Sequence, residues 1–403
     1  MNTRSPLGVD PDRGGDNKVR LFAMASSGPI TNEYMKIADL RFAASQGKTE
    51  AATELLAEIK KYEMAPFYLT VCEQLGWKQD AVLLASMRAA NAAELAKLDA
   101  RIAECEEQEG ETEVREALLA KSDFKVRIGE KDAAYAAMEE TYAKTASLGL
   151  RLDLILTKLR VGLFFDDLKL VRETVARAKD LLEQGGDWER RNRLKVYEAL
   201  FLMRIRDLKK ASALLLDAIA TFTATELVPY NQFILYTVVT SLVALPRSQL
   251  KPKVIDAPEI LQVIGEIPHI AGLINGLYSC QYRTLMESLV PLVELLKTDR
   301  YFSQHARFYW RETRVLAYSQ FLESYMSVSL TSMAQTFGVR PAYLDAELSQ
   351  FISSGRLSCS IDKVNGIVSS TRPDTKNAQY QATIKQGDLL LNRVQKLSRV
   401  TNV

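Results

Sequence analysis

Histidine and cysteine are scarce in this chain, and their scarcity narrows the chemistry that it can perform. The two histidines, His269 and His305, lie far apart in the sequence, with no H-E-x-x-H motif around either of them. The four cysteines form no C-x-x-C pair. This pattern argues against a zinc site, a histidine-based catalytic triad and a disulfide framework. We therefore predict no catalytic residue, no cofactor and no metal ion, and we do not expect an enzyme.

Long apolar runs and a net charge of one sign are also lacking. The longest apolar run, from Phe233 to Leu245, is much shorter than the roughly 20 residues that a membrane-spanning helix needs. The formal net charge of +2 provides no global attraction to nucleic acid or to an anionic membrane. The residues before Ile30 lack the apolar core of a secretory signal. We predict a soluble protein of the cytoplasm and nucleus that binds neither nucleic acid nor membrane.

Nucleotide-binding motifs are absent as well. Gly47-Lys48-Thr49 matches the end of a phosphate-binding loop, but Phe42 stands where that motif requires its first glycine. The sequence contains no G-x-G-x-x-G and no G-x-S-x-G. These absences leave the chain without a motif for nucleotide binding or for a serine hydrolase.

What the chain has in abundance is helical periodicity, which continues from Ile30 onward with little interruption. Between about residues 125 and 222 the predicted helices come in pairs. An aspartate recurs at Asp132, Asp167 and Asp207, at spacings of about 35 to 40 residues. This spacing is typical of tetratricopeptide-like repeats, although their W-x-x-L-G signature is missing. We predict repeats that stack as a solenoid and bury their apolar faces against one another.

Short breaks separate these helices at residues that end one helix or cap the next. The breaks are predicted at Gly129, Gly149, Phe165 to Asp167, Gly185-Gly186 and Arg206-Asp207. After Gly185-Gly186, we expect Asp187 to cap the following helix.

Two short helices and a β-hairpin are predicted before the C-terminal region. The first helix follows the cap Ser329 and ends at Gly338, and the second begins at Pro341 and ends at Gly355. Apolar residues then alternate with polar ones until the Asn365-Gly366 turn, where a return strand begins. This order is typical of a winged helix. Its strand edge supplies four candidate partner-binding residues: Leu357, Cys359, Ile361 and Ile367.

Winged helices often bind DNA through their second helix. Here that helix, Pro341 to Ser354, contains no lysine or arginine, and we expect Asp345 and Glu347 to point outward. Outward carboxylates would be repelled by a phosphate backbone. Contact with protein is therefore the favoured function, because a neighbouring strand can extend a free sheet edge.

The final segment predicts one long amphipathic helix, since no proline follows Pro373. Its apolar residues recur at a heptad spacing over about three heptads. Either this chain or a partner must cover them, and the terminal position favours an intermolecular helix bundle. The candidate partner-binding residues are Tyr380, Ile384, Gly387, Leu390, Leu391, Val394 and Leu397.

Four strings of residues also match a known family. The two longer strings are GGDWERRNRLKVY from Gly185 and QGDLLLNRVQKLSRV from Gln386, and the shorter ones are YSQFLESY from Tyr318 and IDKVNGIV from Ile361. Together they closely resemble the 26S proteasome non-ATPase regulatory subunit 6 family. The resemblance covers roughly residues 34–403, and strings of this length are more specific than a short motif.

The resemblance implies a fold and a setting. Members of the family have helical repeats followed by a PCI domain, and they occupy the lid of the proteasome regulatory particle. Winged helices pack side by side there, and C-terminal helices gather into a bundle. This chain would then be a non-catalytic positioning subunit in the degradation of ubiquitinated proteins. Its partners in a hetero-oligomer would be the other PCI and lid subunits, including the deubiquitinating subunit pair, with the ATPase ring as a further candidate.

Two other functions remain open. One is a PCI subunit of the signalosome, a deneddylase complex with the same architecture. The other is a PCI subunit of a translation-initiation complex, which would contact RNA.

The predicted fold class is mostly all-α: a TPR-like helical-repeat solenoid, a PCI domain whose winged helix contains a small β-hairpin, and a long C-terminal helix. Prolines and glycines among mixed charges predict a disordered or extended tail at the start. The predicted boundaries are 1–29 for the tail, 30–245 for the repeats, 246–374 for the PCI domain (helices 256–325, winged helix 326–372) and 375–403 for the C-terminal helix.

Overall fold

The computed structural model describes residues 33–107, 110–371 and 375–401, so the predicted tail at 1–29 lies outside the described residues. The first ten helices are α1 (Glu33–Ser45), α2 (Thr49–Lys61), α3 (Ala65–Leu75), α4 (Ala81–Glu107), α5 (Glu111–Ile128), α6 (Lys131–Lys144), α7 (Leu148–Phe165), α8 (Leu168–Glu183), α9 (Trp188–Arg204) and α10 (Leu208–Ala218). The later helices are α11 (Tyr230–Ala244), α12 (Arg247–Leu250), α13 (Pro258–Val263), α14 (Ile270–Tyr278), α15 (Tyr282–Thr298), α16 (Ala306–Ser324), α17 (Leu330–Phe337), α18 (Pro341–Ser353) and α19 (Thr375–Thr401). The strands are β1 (Ser327–Ser329), β2 (Cys359–Asp362) and β3 (Ile367–Ser370).

Two compact units make up the described chain. The first, here called the repeat unit, contains the described residues up to Ile267 together with Glu294–Ala306. The second, the winged-helix unit, contains Pro268–Val293 and the described residues from Arg307 onward. The predicted fold class, helical repeats followed by a winged-helix PCI domain, is confirmed. The predicted domain boundaries stay predictions.

The repeat unit consists of helix pairs that pack in sequence order. α5 packs on α6, α7 on α8 and α9 on α10, and α7 also packs on α9. Two aspartates of the repeating pattern cap the second helix of a pair: Asp167 accepts a hydrogen bond from Leu170 N at 3.2 Å, and Asp207 accepts one from Lys210 N at 3.3 Å. Each cap satisfies an amide that the first helical turn leaves unpaired.

Two of the predicted details at helix ends are wrong. Gly149 lies in the first turn of α7 and not in a break, and the Arg190 guanidinium lies 3.4 Å from the position a Cβ would take there. Asp187 precedes α9, but its side chain makes no capping hydrogen bond. Its carboxylate instead faces the guanidinium of Arg190, at 3.7 Å. Gly185 has a φ of 138°, a conformation that favours glycine, and it ends the preceding helix region as predicted.

An aromatic cluster joins three helices within the repeat unit. Tyr34 of α1 stacks on Phe164 of α7 with ring centroids 4.2 Å apart, and Phe67 of α3 lies 5.0 Å from Phe164. All three side chains are buried. Aromatic pairs contribute about 0.5 to 1.5 kcal/mol beyond their burial, so this cluster helps to fix α1 and α3 against α7.

A buried arginine attaches the segment Glu294–Ala306 to the rest of the repeat unit. Arg300 Nη1 donates to the carbonyl oxygen of Leu163 at 3.2 Å, and Nη2 donates to Tyr301 Oη at 2.6 Å. Its Nε lies 3.1 Å from Asp39 Oδ1 of α1. A buried guanidinium is costly unless it is paired. These contacts therefore join parts of the chain that are far apart in sequence.

Asp123 of α5 is a second charged group in an unfavourable place. Burial raises the pKa of its carboxyl group to about 7, and the nearby Arg160 opposes this shift only in part. Below that pH, the carboxyl group is protonated and costs the fold less. Asp123 therefore destabilises the repeat unit when it is ionised.

In the winged-helix unit, α17 and α18 lie in sequence between β1 and β2, and the three strands form an antiparallel sheet. Ser329 caps α17 by accepting a hydrogen bond from Ser332 N at 3.2 Å, and Gly338 ends this helix with a φ of 68°, both as predicted. The strand order is β1-β3-β2. The register places Val328 of β1 and Ile361 of β2 opposite Val368, which is fully buried.

The sequence did not predict β1. Its three residues are two serines around Val328, too few to show alternation. β1 pairs with β3, which lies about forty residues later in the chain. Pairing across such a separation depends on the tertiary fold and leaves little local signal.

Glu347 of α18 does not point outward as predicted. It is buried and forms an ion pair with the buried Arg314 of α16. Tyr318 Oη donates a hydrogen bond to Glu347 Oε2 at 2.7 Å, and Arg314 Nη1 also donates to Tyr343 Oη at 2.5 Å. The prediction was wrong because the charge of Glu347 is matched by an arginine on another helix, which the pattern of α18 alone cannot show. Asp345 is partly exposed and lies 3.3 Å from Lys363.

The Arg314–Glu347 pair leads to a stability prediction. Glu347→Leu leaves the Arg314 guanidinium buried without a carboxylate and should lower the free energy of unfolding by about 3 to 5 kcal/mol. The double variant Arg314→Met/Glu347→Leu should recover most of this loss. Chemical denaturation followed by circular dichroism measures both. As a control, Lys363→Ala breaks an exposed pair and should cost less than about 1 kcal/mol. A Glu347→Leu loss as small as that of the control would contradict the prediction.

Asp123 gives a pH-dependent prediction. Because its folded pKa lies above its unfolded value, its contribution to stability is complete below about pH 4 and is lost as the pH rises through 7. Asp123→Asn is neutral throughout, so it should be up to about 4 kcal/mol more stable than the parent at pH 8 and little or no more stable near pH 4. Denaturation at both pH values tests this. As a control, Asp99→Asn alters an exposed carboxylate that pairs with Lys121, and equal effects of the two substitutions at both pH values would exclude the explanation.

Candidate protein-binding surfaces

The C-terminal helix α19 exposes apolar side chains along most of its length. Every side chain of α19 that the structure describes is exposed. The predicted partner-binding residues, here called the apolar stripe, are Tyr380, Ile384, Gly387, Leu390, Leu391, Val394 and Leu397. Leu390 is 65% exposed and Leu397 is 64% exposed. Such residues are usually buried, so the folded chain leaves the apolar stripe in contact with water.

The energy available from covering the apolar stripe is large compared with the stability of an isolated helix. Each large apolar side chain contributes roughly 1.5 to 3 kcal/mol when fully buried, which sums to about 10 kcal/mol before ordering entropy is subtracted. A single helix in water is marginally stable at best. The stripe therefore has the properties of a surface that becomes ordered against other helices.

Two exposed apolar residues of α19 lie outside the apolar stripe. Leu389 is 61% exposed and Val400 is 74% exposed. The sequence signal for them is the run Leu389-Leu390-Leu391, because three consecutive leucines cannot all face one side of a helix. Sequence reasoning with a single stripe missed them.

The four residues predicted at the winged-helix edge have different environments. Leu357 and Cys359 are buried, Ile361 of β2 is half-buried, and Ile367 is 36% exposed. Ile367 does not lie at an edge, because its strand β3 is the middle strand of the sheet. The edge assignment of Ile367 was therefore wrong. Burial raises the pKa of the Cys359 thiol, which makes it less reactive.

The two outer strands of the sheet are β1 and β2. At an outer strand the backbone groups of one side are available to another chain. Next to β1, Tyr325 is 48% exposed and Met326 is 85% exposed, and Met326 O accepts a hydrogen bond from Ser370 N at 2.9 Å. The edge at β1 was not predicted, since the strand itself was missed.

The repeat unit contains a small open cavity of about 80 Å³ near the start of α7. Leu119, Leu150 and Leu154 supply apolar surface to it, and Asp153 lies at its side. Asp153 is neutralised by Arg190, whose Nε and Nη2 donate to it at 2.9 and 2.7 Å. A carboxylate held this way is not arranged for acid or base catalysis.

The two histidines lie at the starts of helices. His305 Nε2 lies 2.9 Å from the carbonyl oxygen of Arg204, and His269 precedes α14 with a φ of 68°. The described residues contain no group of three or more histidine, cysteine or acidic side chains that would hold a metal ion. Within the described ranges, no helix has both the length and the apolar character needed to cross a bilayer.

Three family models match this chain. The model of the 26S proteasome subunit RPN7 matches residues 80–253, and the PCI domain model matches residues 290–372. The model of the RPN7/PSMD6 C-terminal helix of the 26S proteasome regulatory subunit matches residues 379–400. The last match contains the whole apolar stripe.

Known relatives are similar over most of the chain. The 26S proteasome non-ATPase regulatory subunit 6 of Oryza sativa subsp. japonica is 50% identical over 356 residues, which cover 88% of this chain and 92% of the relative. The protein of the same name from Dictyostelium discoideum is 47% identical over 372 residues, 92% of this chain and 97% of the relative. The COP9 signalosome complex subunit 1 of Arabidopsis thaliana is 30% identical over only 148 residues, 37% of this chain and 34% of that protein. With the helical repeats, the winged helix and the exposed terminal helix, these matches show that the chain belongs to the RPN7/PSMD6 family, the 26S proteasome non-ATPase regulatory subunit 6 family.

Proposed function

We propose that this protein is a non-catalytic scaffold subunit of the lid of the 26S proteasome regulatory particle, where it acts in assembly and in positioning partners for ubiquitin-dependent degradation. The observation that carries the proposal is the exposed apolar stripe of α19, in a segment that matches the family's own C-terminal helix model. A helix that leaves this much apolar surface uncovered is built to join a bundle with other helices.

The partners proposed are the other PCI and lid subunits in a hetero-oligomer, including the deubiquitinating subunit pair, with the ATPase ring as a further candidate. The relatives are named as regulatory subunits of the 26S proteasome, which supports partners of this kind. A place in that particle puts the protein in the cytoplasm and nucleus.

The winged-helix unit offers a second contact, through its sheet. The outer edge of β2, which carries Cys359 and Ile361, and the outer edge of β1 are suited to strand addition by a neighbour. Since Leu357 and Cys359 are buried, a partner strand would bind the backbone of β2 and not these two side chains.

The signalosome is the less favoured alternative. Its subunit matches about a third of this chain at 30% identity, whereas the proteasome subunits match about nine tenths at 47 to 50%. A translation-initiation subunit is the other alternative, and it would need an RNA-binding surface. α18 supplies none, because it contains no lysine or arginine.

The proposal predicts the effect of changing α19. Deleting residues 379–403 should leave the repeat unit folded and prevent incorporation into the larger particle. Leu391→Asp/Val394→Asp should act like the deletion, because burying an unpaired carboxylate costs several kcal/mol at each position. Native gels and mass spectrometry of particles isolated through a tagged lid subunit measure incorporation, and circular dichroism measures the fold.

A matched control introduces the same charge at polar positions of the same helix. Asn377→Asp/Gln395→Glu adds two carboxylates outside the apolar stripe and should reduce incorporation far less than Leu391→Asp/Val394→Asp. Normal incorporation of the truncated chain would contradict the scaffold proposal.

Nucleic-acid binding provides a separate test. The net charge of +2 and the composition of α18 predict negligible affinity for RNA and DNA at physiological salt. Filter binding or fluorescence anisotropy with labelled single-stranded and duplex oligonucleotides measures this. Tight binding to RNA regardless of sequence would favour the translation-initiation alternative.

A further inference from the structure

A second face of α19 combines exposed apolar residues with positive charge. Lys385 lies four residues before Leu389. Arg393, Lys396 and Val400 lie four, seven and eleven residues after it. At about 100° per residue, all of them lie within about 40° of Leu389 around the helix. Their side chains are exposed. We call these five residues the basic face; its length from Lys385 to Val400 is about 22 Å.

The basic face lies opposite the apolar stripe. Leu389 is about 160° around the helix from Leu391, and Val400 is about 180° from it. A single neighbouring helix covers one side of another helix, so it cannot cover both the apolar stripe and the basic face. The two faces therefore require different contacts.

The single acidic residue of α19 does not balance the whole charge of the basic face. Asp388 is the only acidic residue of this helix, and it lies about 100° from Leu389, at the border of the apolar stripe. Lys385 lies three residues before Asp388 and is close enough to pair with it. Arg393 and Lys396 lie too far around or along the helix to do so. Three cations consequently surround two exposed apolar side chains with no carboxylate on the same face.

We propose that a second helix, rich in carboxylates, packs on the basic face of α19, so that α19 lies between two neighbours in the bundle. This inference rests on the proposed function, and it adds the chemistry of one partner. Two apolar side chains alone would give a weak and unselective contact. The cations of the basic face supply the selectivity, because they attract a partner helix with acidic residues and repel one with basic residues.

The spacing of the basic face defines the partner further. Lys385 and Lys396 are about 16 Å apart along the helix axis, so the partner needs carboxylates distributed over about three turns. Between them it needs aliphatic side chains to cover Leu389 and Val400. The long stems of lysine and arginine can lie along such apolar surface while their charged ends reach the carboxylates.

Charge reversal in the full chain tests the inference. Lys385→Glu/Arg393→Glu/Lys396→Glu should lower incorporation into lid particles by about tenfold or more, because three attractive pairs become repulsive. Glutamate forms helices about as well as lysine and arginine, so the helix itself is preserved. Arg393→Glu alone should reduce incorporation more than Arg399→Glu, since Arg399 lies outside the basic face. Equal effects of these two single variants, or normal incorporation of the triple variant, would overturn the inference.

Site-specific photo-crosslinking in assembled particles identifies the neighbours directly. A photoreactive residue at position 389 should crosslink to a helical segment with several acidic residues, and one at position 391 should crosslink to a different segment. Crosslinking of both positions to the same segment, or of position 389 to a segment without acidic residues, would refute the proposal. So would crosslinking of position 389 to nucleic acid or lipid, or its failure to crosslink while position 391 succeeds.

These experiments separate the two proposals. If the Leu391→Asp/Val394→Asp variant is still incorporated into lid particles, the proposed scaffold function is excluded. The proposal for the basic face, which rests on that function, is then excluded as well. If that variant fails to assemble while the triple charge reversal assembles normally, only the second helix is excluded.

Discussion

The structure depends on one constraint: α19 cannot bury its own apolar side chains. A helix of 27 residues with every described side chain exposed gains little from folding by itself. The free energy from its apolar stripe is released only when other helices cover it. The repeat unit and the winged-helix unit, by contrast, bury their own cores and contain their own ion pairs. The chain thus combines parts that bury their own cores with one helix whose apolar side chains stay exposed.

The repeat unit and the winged-helix unit are each stabilised by contacts between residues that are distant in sequence. Arg300 binds the carbonyl oxygen of Leu163, and Arg314 pairs with Glu347. Buried arginines that are held in this way add little to stability compared with an apolar replacement, but they penalise any arrangement in which a partner is missing. They therefore favour one packing of the helices within each unit, which suits a subunit that has to present fixed surfaces.

Sequence reasoning predicted what depends on local pattern. Helical periodicity predicted the paired helices of the repeats, and the heptad spacing predicted α19. The aspartates at 167 and 207 lie at predicted helix breaks, and both cap the helix that follows. It missed what depends on tertiary pairing. β1 was missed because three residues show no alternation, and Glu347 was placed outward because its partner lies on α16. For the candidate surfaces, a one-stripe description found the apolar stripe and overlooked Leu389 and Val400 on the other side of the helix.

The exposure of α19 also has a consequence for a copy that has not yet met its partners. Such a copy exposes the apolar side chains of α19 to solvent. Exposed apolar surfaces of this kind are recognised by chaperones and proteases. Burial in the proposed particle would remove that signal. The same helix would therefore distinguish orphan molecules from incorporated ones.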